Sequence, residues 1–471
     1  MVGREKEIEI LNGAYEDSKS HFIAIYGRRR IGKTYLVNET FKGKFLFHHA
    51  GIPNASYKTE LSEFASSLRE SGHPCKRKPA NWFEAFGELK ELIKEAEAPR
   101  KVIFIDELSW MDTPKSELMQ ALESFWNGWA SAREDVVLIV CASATSWMLK
   151  KVIHNKGGLY NRLTDRIHLN QFSLRECEEY FQANGLIANR AQILQYYMAL
   201  GGVPYYYTLL KSGLSVPQNI DALFFAEEAP LKQEFKYLFA SIFKKPEPYL
   251  NIIAALARKK IGLSREEIIK EAKLVNSGNL SEKLEELESC GFIRKYNCFG
   301  MKKKSALYQI VDNFILFYYT FLEKEPNDEA FWEVQANSPL VSTFLGYAFE
   351  KVCLLHTKQM KEKLGISGVL TETNSWFCKK DEEAGLSGSQ IDLLIVRKDQ
   401  VINVCEMKYS LSPYILSEKD LASLNRKIED LRIATGTRYA LYPTLVVAGG
   451  LKKNAASLSI PCLIVLDDLF K

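Results

Sequence analysis

The chain has 471 residues, 46% of them hydrophobic and 25% charged, which is too long for one core and suits about three globular domains. Lys and Arg number 62 against 58 Asp and Glu, so the net charge of +4 is too slight to imply a polyanion partner without local clustering. Nine cysteines without CxxC spacing sit mostly in apolar runs and read as reduced thiols; the charged start and the lack of a long apolar stretch point to a cytoplasmic protein without a membrane span.

In chain order, the apolar run Phe22–Tyr26 predicts a strand, and Tyr35–Phe41 predicts a helix. Between them lies Gly27-Arg28-Arg29-Arg30-Ile31-Gly32-Lys33-Thr34, a full GxxxxGK[ST] loop. Its backbone N–H groups and the following helix start can cradle phosphates, Lys33 supplies a point charge, and the Thr34 hydroxyl can sit on Mg²⁺. The loop, with Tyr35 after it, is the candidate nucleotide-binding segment. Arg28, Arg29 and Arg30 are not needed for the cradle itself and are open to a polyanion, a neighbouring domain or water.

A P-loop needs a second, acid-bearing strand. Lys101-Val-Ile-Phe-Ile-Asp106-Glu107 fits a strand buried on both faces and ending in two acids. Asp106 is the candidate metal ligand and Glu107 the candidate general base, so nucleotide hydrolysis is expected. Val136–Cys141 predicts a third buried strand, and Ser143 beyond it is either a γ-phosphate sensor or a helix cap. Arg162 and Arg166 are four apart, on one face if the segment is helical; either is an arginine finger, in cis or from a neighbouring subunit, or a surface ion pair.

The opening Val2-Gly3-Arg4-Glu5, the P-loop, the Ile-Asp-Glu strand, Cys141-Ala-Ser-Ala-Thr-Ser146 and Gly201-Gly-Val-Pro-Tyr-Tyr206 resemble the AAA-like ATPases found predominantly in archaea, a group related to the STAND signalling ATPases. The resemblance implies ATP and Mg²⁺ as cofactors and an α/β multidomain fold. Its parts would be a P-loop parallel sheet (1–170), a helical lid (171–235), a winged helix (236–325) and a restriction-endonuclease-like domain (338–471). It also implies that Val2, Gly3 and Arg4 lie near the adenine and that Gly201–Tyr206 belongs to the lid. Ala142 departs from it, standing where the family often has glycine.

Tyr249–Arg258, Ser264–Ala272 and Ser277–Cys290 have helical periodicity, with serine caps at Ser264 and Ser277. Strands at 292–298 and 305–310 flank a turn carrying Lys302, Lys303 and Lys304, which completes a winged-helix outline with a basic wing. Glu282, Glu285, Glu286 and Glu288 on the third helix would repel phosphates and argue against base readout. Backbone contact by the wing and a packing role are both open. Phe314–Phe321 reads as an apolar helix, and Glu323–Asn337 as a linker.

Gln390–Val396 and Val401–Lys408 predict two strands of a hairpin folded about residue 398 or 399. Either register puts Asp392 on the face of Glu406, and alternation adds Lys408. Two carboxylates and an ammonium can hold a divalent cation and a water for attack on a phosphodiester. The segments Gly346–Glu350, Ile391-Asp392 and Cys405-Glu406-Met-Lys408 resemble the PD-(D/E)xK core, which implies Glu350, Asp392 and Glu406 as ligands of Mg²⁺ or Mn²⁺ and Lys408 as a catalytic group. Helical Glu418–Ile433 and strands Ala440–Val447 and Cys462–Leu466 follow. The expectation is an Mg²⁺-dependent ATPase coupled to a DNA-directed nuclease-like domain, with a homo-oligomer left open. The alternative is an ATP/ADP-controlled switch whose C-terminal domain binds without cleaving.

Overall fold

The computed structural model describes residues 1–471 apart from 155–156, 244, 276–277, 301–305 and 327. The expected cap Ser277 and the wing residues Lys302, Lys303 and Lys304 lie outside the described residues. Two compact units emerge: Met1–Gln171 with Ala240–Lys244, and Phe172–Phe239 with Lys245–Lys471.

The first unit is built on five strands, β1 (His21–Tyr26), β2 (Phe45–Ala50), β3 (Lys101–Asp106), β4 (Val136–Ala142) and β5 (Asp165–His168), in the order β2-β3-β4-β1-β5. All neighbouring pairs are parallel. Every residue of β3 and β4 is buried, which is why both read as unbroken apolar runs. Helices cover both faces: Phe64, Trp82 and Phe86 pack on one side, and Leu36, Val37 and Phe41 on the other. Helices Tyr57–Glu70 and Trp82–Glu95 between β2 and β3 begin at Ser56 and Asn81, whose side chains accept from Thr59 N and Glu84 N. The segment holding Arg162 and Arg166 is not helical. Arg162 is exposed in a turn, while Arg166 lies on edge strand β5 beside β1, so pairing with β1 overrides the i, i+4 pattern.

The second unit opens with helices Leu174–Ala183, Arg190–Leu200 and Val216–Phe224, each begun by a capping box, at Ser173, Asn189 and Ser215. These predicted lid helices cluster with the C-terminal residues. Aromatic contacts and a few polar ties hold them there. Phe314 meets Tyr206 at 5.0 Å and Phe317 meets Phe224 at 4.5 Å between ring centres. His356, fully buried and pushed down to about 4 by that burial, accepts from Leu174 N at 3.0 Å. Gly202 passes so close to Phe172 that a Cβ would lie 2.1 Å from its carbonyl oxygen.

The predicted linker 323–337 is a packed element in part. Residues Phe331–Gln335 form a helix whose first N–H groups, of Trp332 and Glu333, bond to the Asp221 carboxylate at 2.7 and 3.0 Å. Trp332 is buried against Phe317, Phe321 and Phe344. A polar, proline-containing stretch conceals two aromatic anchors, Trp332 and Phe331, the latter stacked on the sequence-distant Phe225 at 4.8 Å.

Helices Glu247–Ala257, Arg265–Glu271 and Gly278–Ser289 join a small sheet of β6 (Leu263–Ser264), β7 (Ile293–Tyr296) and β8 (Leu307–Ile310), ordered β6-β8-β7. The third helix buries Leu280, Leu284 and Leu287. The C-terminal sheet contains β9 (Thr371–Phe377), β12 (Gln390–Arg397), β13 (Val401–Lys408), β14 (Ala440–Val447) and β15 (Cys462–Val465), with the short hairpin β10 (Lys380–Asp381) and β11 (Leu386–Ser387) beside it. Its order is β15-β14-β13-β12-β9, antiparallel around β12 and parallel from β13 to β15. Helix Glu418–Thr435 packs Leu424 and Leu431 with Leu394 and Val404, and Gly436 ends it in the left-handed conformation. Among the described residues no helix is long and apolar enough to cross a membrane.

Candidate functional site

The first cluster forms where β1, β3 and β4 end side by side. The chain leaves β1 through Gly27 at φ 144°, where a Cβ would lie 2.3 Å from the Leu169 carbonyl oxygen. Gly32, at φ 88°, then caps helix Lys33–Thr40. Lys33 is buried, and its Nζ donates to the carbonyls of Gly27 and Arg28, both at 2.9 Å, and to Ser143 Oγ at 3.2 Å. The Thr34 hydroxyl donates to Asp106 Oδ2 at 2.5 Å.

Glu107 follows Asp106 in the left-handed conformation (φ 47°), with its N–H on Asp106 Oδ1 at 2.8 Å. This turn lifts its carboxylate off the strand line toward β4. There it accepts from Ser143 N at 3.0 Å and from the Ser143 hydroxyl. Lys33, Thr34, Asp106, Glu107 and Ser143 therefore form one hydrogen-bonded network. The adjacent Thr34 hydroxyl and Asp106 carboxylate are hard oxygen donors suited to Mg²⁺, which keeps waters and phosphates among its ligands.

Other predicted residues stand around this cluster. Arg28 and Ile31 are buried; Arg29 and Arg30 are partly exposed, Arg30 at φ 70°. Tyr35 is 57% exposed. Val2 is partly exposed; Gly3 and Arg4 are buried, and the Arg4 guanidinium donates to the Asn170 carbonyl at 2.7 Å. Arg162 is not in the network.

The second cluster lines a cleft of about 380 Å³ in the other unit, among whose walls are Lys260, Glu350, Asp392, Glu406, Lys408 and Lys427. Glu350 comes from helix Pro339–Leu355, and Glu406 and Lys408 from one face of β13. The β12–β13 register runs from Val396 opposite Ile402 to Leu393 opposite Cys405, so one further step sets Asp392 against Glu406. On its other edge β12 shifts register against β9 between Ile391 and Leu394. Such a bulge re-aims side chains; here Ser375 Oγ donates to the Asp392 carbonyl at 2.5 Å.

Charges in the cleft are unevenly paired. Lys408 meets Glu406 Oε1 at 2.9 Å and Lys427 meets Oε2 at 2.8 Å. Burial pushes the Glu406 carboxyl up, but these two ammoniums outweigh it and hold the group below its ordinary value. Burial likewise pulls Lys408 down, and Glu406 more than restores it. Glu350 moves the other way: burial and then the Asp392 carboxylate push it up to about 7, against the opposing fields of Lys351 and Lys260. Gln390 Nε2 donates to Asp392 Oδ1 at 2.6 Å.

The four expected residues thus line one cleft, but not as an assembled metal centre. Among the described residues no group of three or more His, Cys, Asp or Glu side chains is placed to hold a metal ion. Glu406 faces two ammoniums instead. Sequence reasoning passed over Gln390 and Lys260. Gln390, two residues before Asp392 on one strand face, carried a legible signal. Lys260 carried none, because only the fold brings it to Glu350.

Residues 1–210 match the model of a family described as an ATPase domain predominantly from Archaea. The amino-terminal part of the chain is thus similar to an ATPase domain, and it carries the parallel sheet and the P-loop sequence described above. An uncharacterized protein of Methanocaldococcus jannaschii is 24% identical over 433 residues, covering 91% of each chain. An uncharacterized ATP-binding protein of the same organism is 40% identical over 44 residues, 9% of this chain and 75% of its own. Among solved structures, a Walker-type ATPase of Pyrococcus abyssi aligns with TM-score 0.48 at 16% identity, over 68% of this chain and 96% of its own. The ORC2 protein of Aeropyrum pernix, in its ADPNP–ADP complexes, aligns with TM-score 0.41 at 16% identity, over 73% and 93%.

Proposed function

We propose that this chain is an Mg²⁺-dependent ATPase carrying a metal-dependent, nucleic-acid-directed nuclease domain. The observation that carries the second half is the meeting of Glu350, Asp392, Glu406 and Lys408, from three separate elements, in one cleft. The first half rests on the five-residue network of the P-loop and the family match of residues 1–210.

At the nucleotide site the Gly27–Thr34 loop would wrap the phosphates, with Lys33 turning its ammonium from loop carbonyls to phosphate oxygens. Thr34 and Asp106 would hold Mg²⁺, which offsets the charge of the β- and γ-phosphates. Glu107 would take the proton of the attacking water, and Ser143, bonded to both Lys33 and Glu107, would register the γ-phosphate. Arg162, exposed in its turn, is available to a neighbouring copy as a finger.

In the cleft, Asp392 and Glu350 have no ion pair among the described residues and offer oxygens to Mg²⁺ or Mn²⁺; bound there, the ion would polarise a phosphodiester. Lys408 would orient the attacking water. DNA is the proposed partner of this cleft and of the winged helix, and the protein is proposed to act in the cytoplasm.

One observation favours a second reading. Glu406 is already neutralised by Lys408 and Lys427, an arrangement suited to a site that binds without cutting. In that case ATP against ADP would set which partner the C-terminal domain holds. Incubation with single- and double-stranded DNA and RNA, with Mg²⁺ or Mn²⁺ and with or without ATP, separates the two. Cleavage lost in Lys408→Ala supports the nuclease. Intact ATP hydrolysis without cleavage under any condition supports the switch. ATP hydrolysis unchanged in both Lys33→Ala and Glu107→Gln would reject the assignment of the nucleotide site.

A further inference from the structure

We infer that Lys260, carried by the winged-helix segment, is a phosphate-contacting residue of the C-terminal cleft and takes a backbone oxygen of a nucleic-acid strand. The inference rests on the proposed reading of the cleft as a phosphodiester site. It assigns the winged-helix segment a second role, as a fixed wall of that site.

Lys260 follows helix Glu247–Ala257, far from the cleft residues in sequence, yet it lines the cleft with Glu350, Asp392 and Glu406. Its backbone is pinned. The Lys260 carbonyl accepts from Tyr347 Oη at 3.0 Å and from Gln309 Nε2 at 2.5 Å. Tyr347 stands three residues before Glu350 on the same helix, hence on the same face.

From Gln309 the bonds continue: Arg294 Nε donates to its Oε1 at 3.0 Å, Arg294 Nη2 to Ser375 Oγ at 2.9 Å, and Ser375 Oγ to the Asp392 carbonyl at 2.5 Å. An unbroken chain of hydrogen bonds therefore ties the backbone of Lys260 to the backbone of Asp392. A residue fixed so firmly at its carbonyl has its side chain exposed, with Nζ 5.3 Å from the centre of the Tyr347 ring.

The cations around the cleft differ in what they already bind. Lys408 and Lys427 are both spent on Glu406, whereas Lys260 makes no ion pair among the described residues. A polyanion entering the cleft would meet three carboxylates, two compensated cations and two that make no ion pair among the described residues, Arg426 on helix Glu418–Thr435 and Lys260 with its pinned backbone. Phosphate binding is an electrostatic exchange of counterions for lysine or arginine, so an uncommitted ammonium on a rigid backbone contributes most to it.

The test uses full-length protein and a mixed-sequence oligonucleotide duplex in EDTA, with affinity followed from about 50 to 200 mM salt. Lys260→Ala should weaken binding and reduce the steepness of log K against log salt by about 0.9, the share of one phosphate contact, and Lys260→Arg should restore it. Acetylation mapped by mass spectrometry should show Lys260 protected by the duplex. An unchanged slope with Lys260 unprotected, while Lys408 and Lys427 are protected, overturns this inference and leaves the cleft reading standing. Protection of none of the three lysines overturns both.

Discussion

The two clusters solve the same problem, holding acids beside cations, in opposite ways. At the P-loop cluster Asp106 and Glu107 are held by hydroxyl and amide donors, Thr34 Oγ1, Ser143 Oγ and two backbone N–H groups, while Lys33 bonds neutral oxygens. In the cleft Glu406 is held by two ammoniums, whereas Glu350 is left against Asp392. The first arrangement keeps charges uncompensated and ready for a charged ligand. The second spends them on one another, so that two carboxyls of similar intrinsic acidity are driven apart.

The sharpest way to break this comparison is at Glu107. Glu107→Gln keeps the shape and one of the two acceptors for Ser143 but removes the proposed base, so steady-state ATP hydrolysis should fall about 10²–10⁴-fold while nucleotide affinity is retained. Retained turnover would show that the acid is structural.

Next comes Lys427→Met, which leaves Glu406 largely buried with one ammonium instead of two. Destabilisation of about 1–3 kcal/mol is expected, read as a shift of the thermal or urea midpoint. The pH dependence follows from the lowered Glu406 carboxyl. Its stabilising contribution is present above the unfolded carboxylate value and is lost as pH falls through the folded one. In the variant the folded value rises toward the unfolded one, so the stability lost on acidification should shrink and be complete at a higher pH.

Glu350 has the opposite sign. With its carboxyl pushed up to about 7, its contribution is full below the unfolded value and is lost as pH rises toward neutrality. Glu350→Gln should remove that loss, leaving the variant the more stable form above neutral pH by about 1–2 kcal/mol. A stability difference that stays constant across the pH range would place Glu350 in water.

The smallest expected effect concerns the rim of the cleft, where Asp430 accepts from Ser387 N at 3.0 Å, from Ser387 Oγ at 2.6 Å and from the Ser389 hydroxyl. Asp430→Ala should cost about 1 kcal/mol and loosen exchange protection at the Ser387 amide, without altering ATP hydrolysis.

Much of this was legible in the linear order of residues, because its signals are local. A glycine-rich loop between a buried strand and a helix, two acids at the end of an apolar run, and an i, i+2 pair on β13 depend on spacing within one or two elements. Hairpin arithmetic likewise brought Asp392 onto the face of Glu406, since antiparallel pairing leaves few registers. Tertiary structure alone decided the rest. The anchoring of Trp332 by Asp221, the grouping of the predicted lid helices with the C-terminal residues, the strand at Arg166 and the arrival of Lys260 beside Glu350 all depend on partners far apart in sequence. So does the sharing of charge in the cleft, because a carboxyl's proton affinity follows from burial and from which ammonium reaches it, and neither is written in spacing.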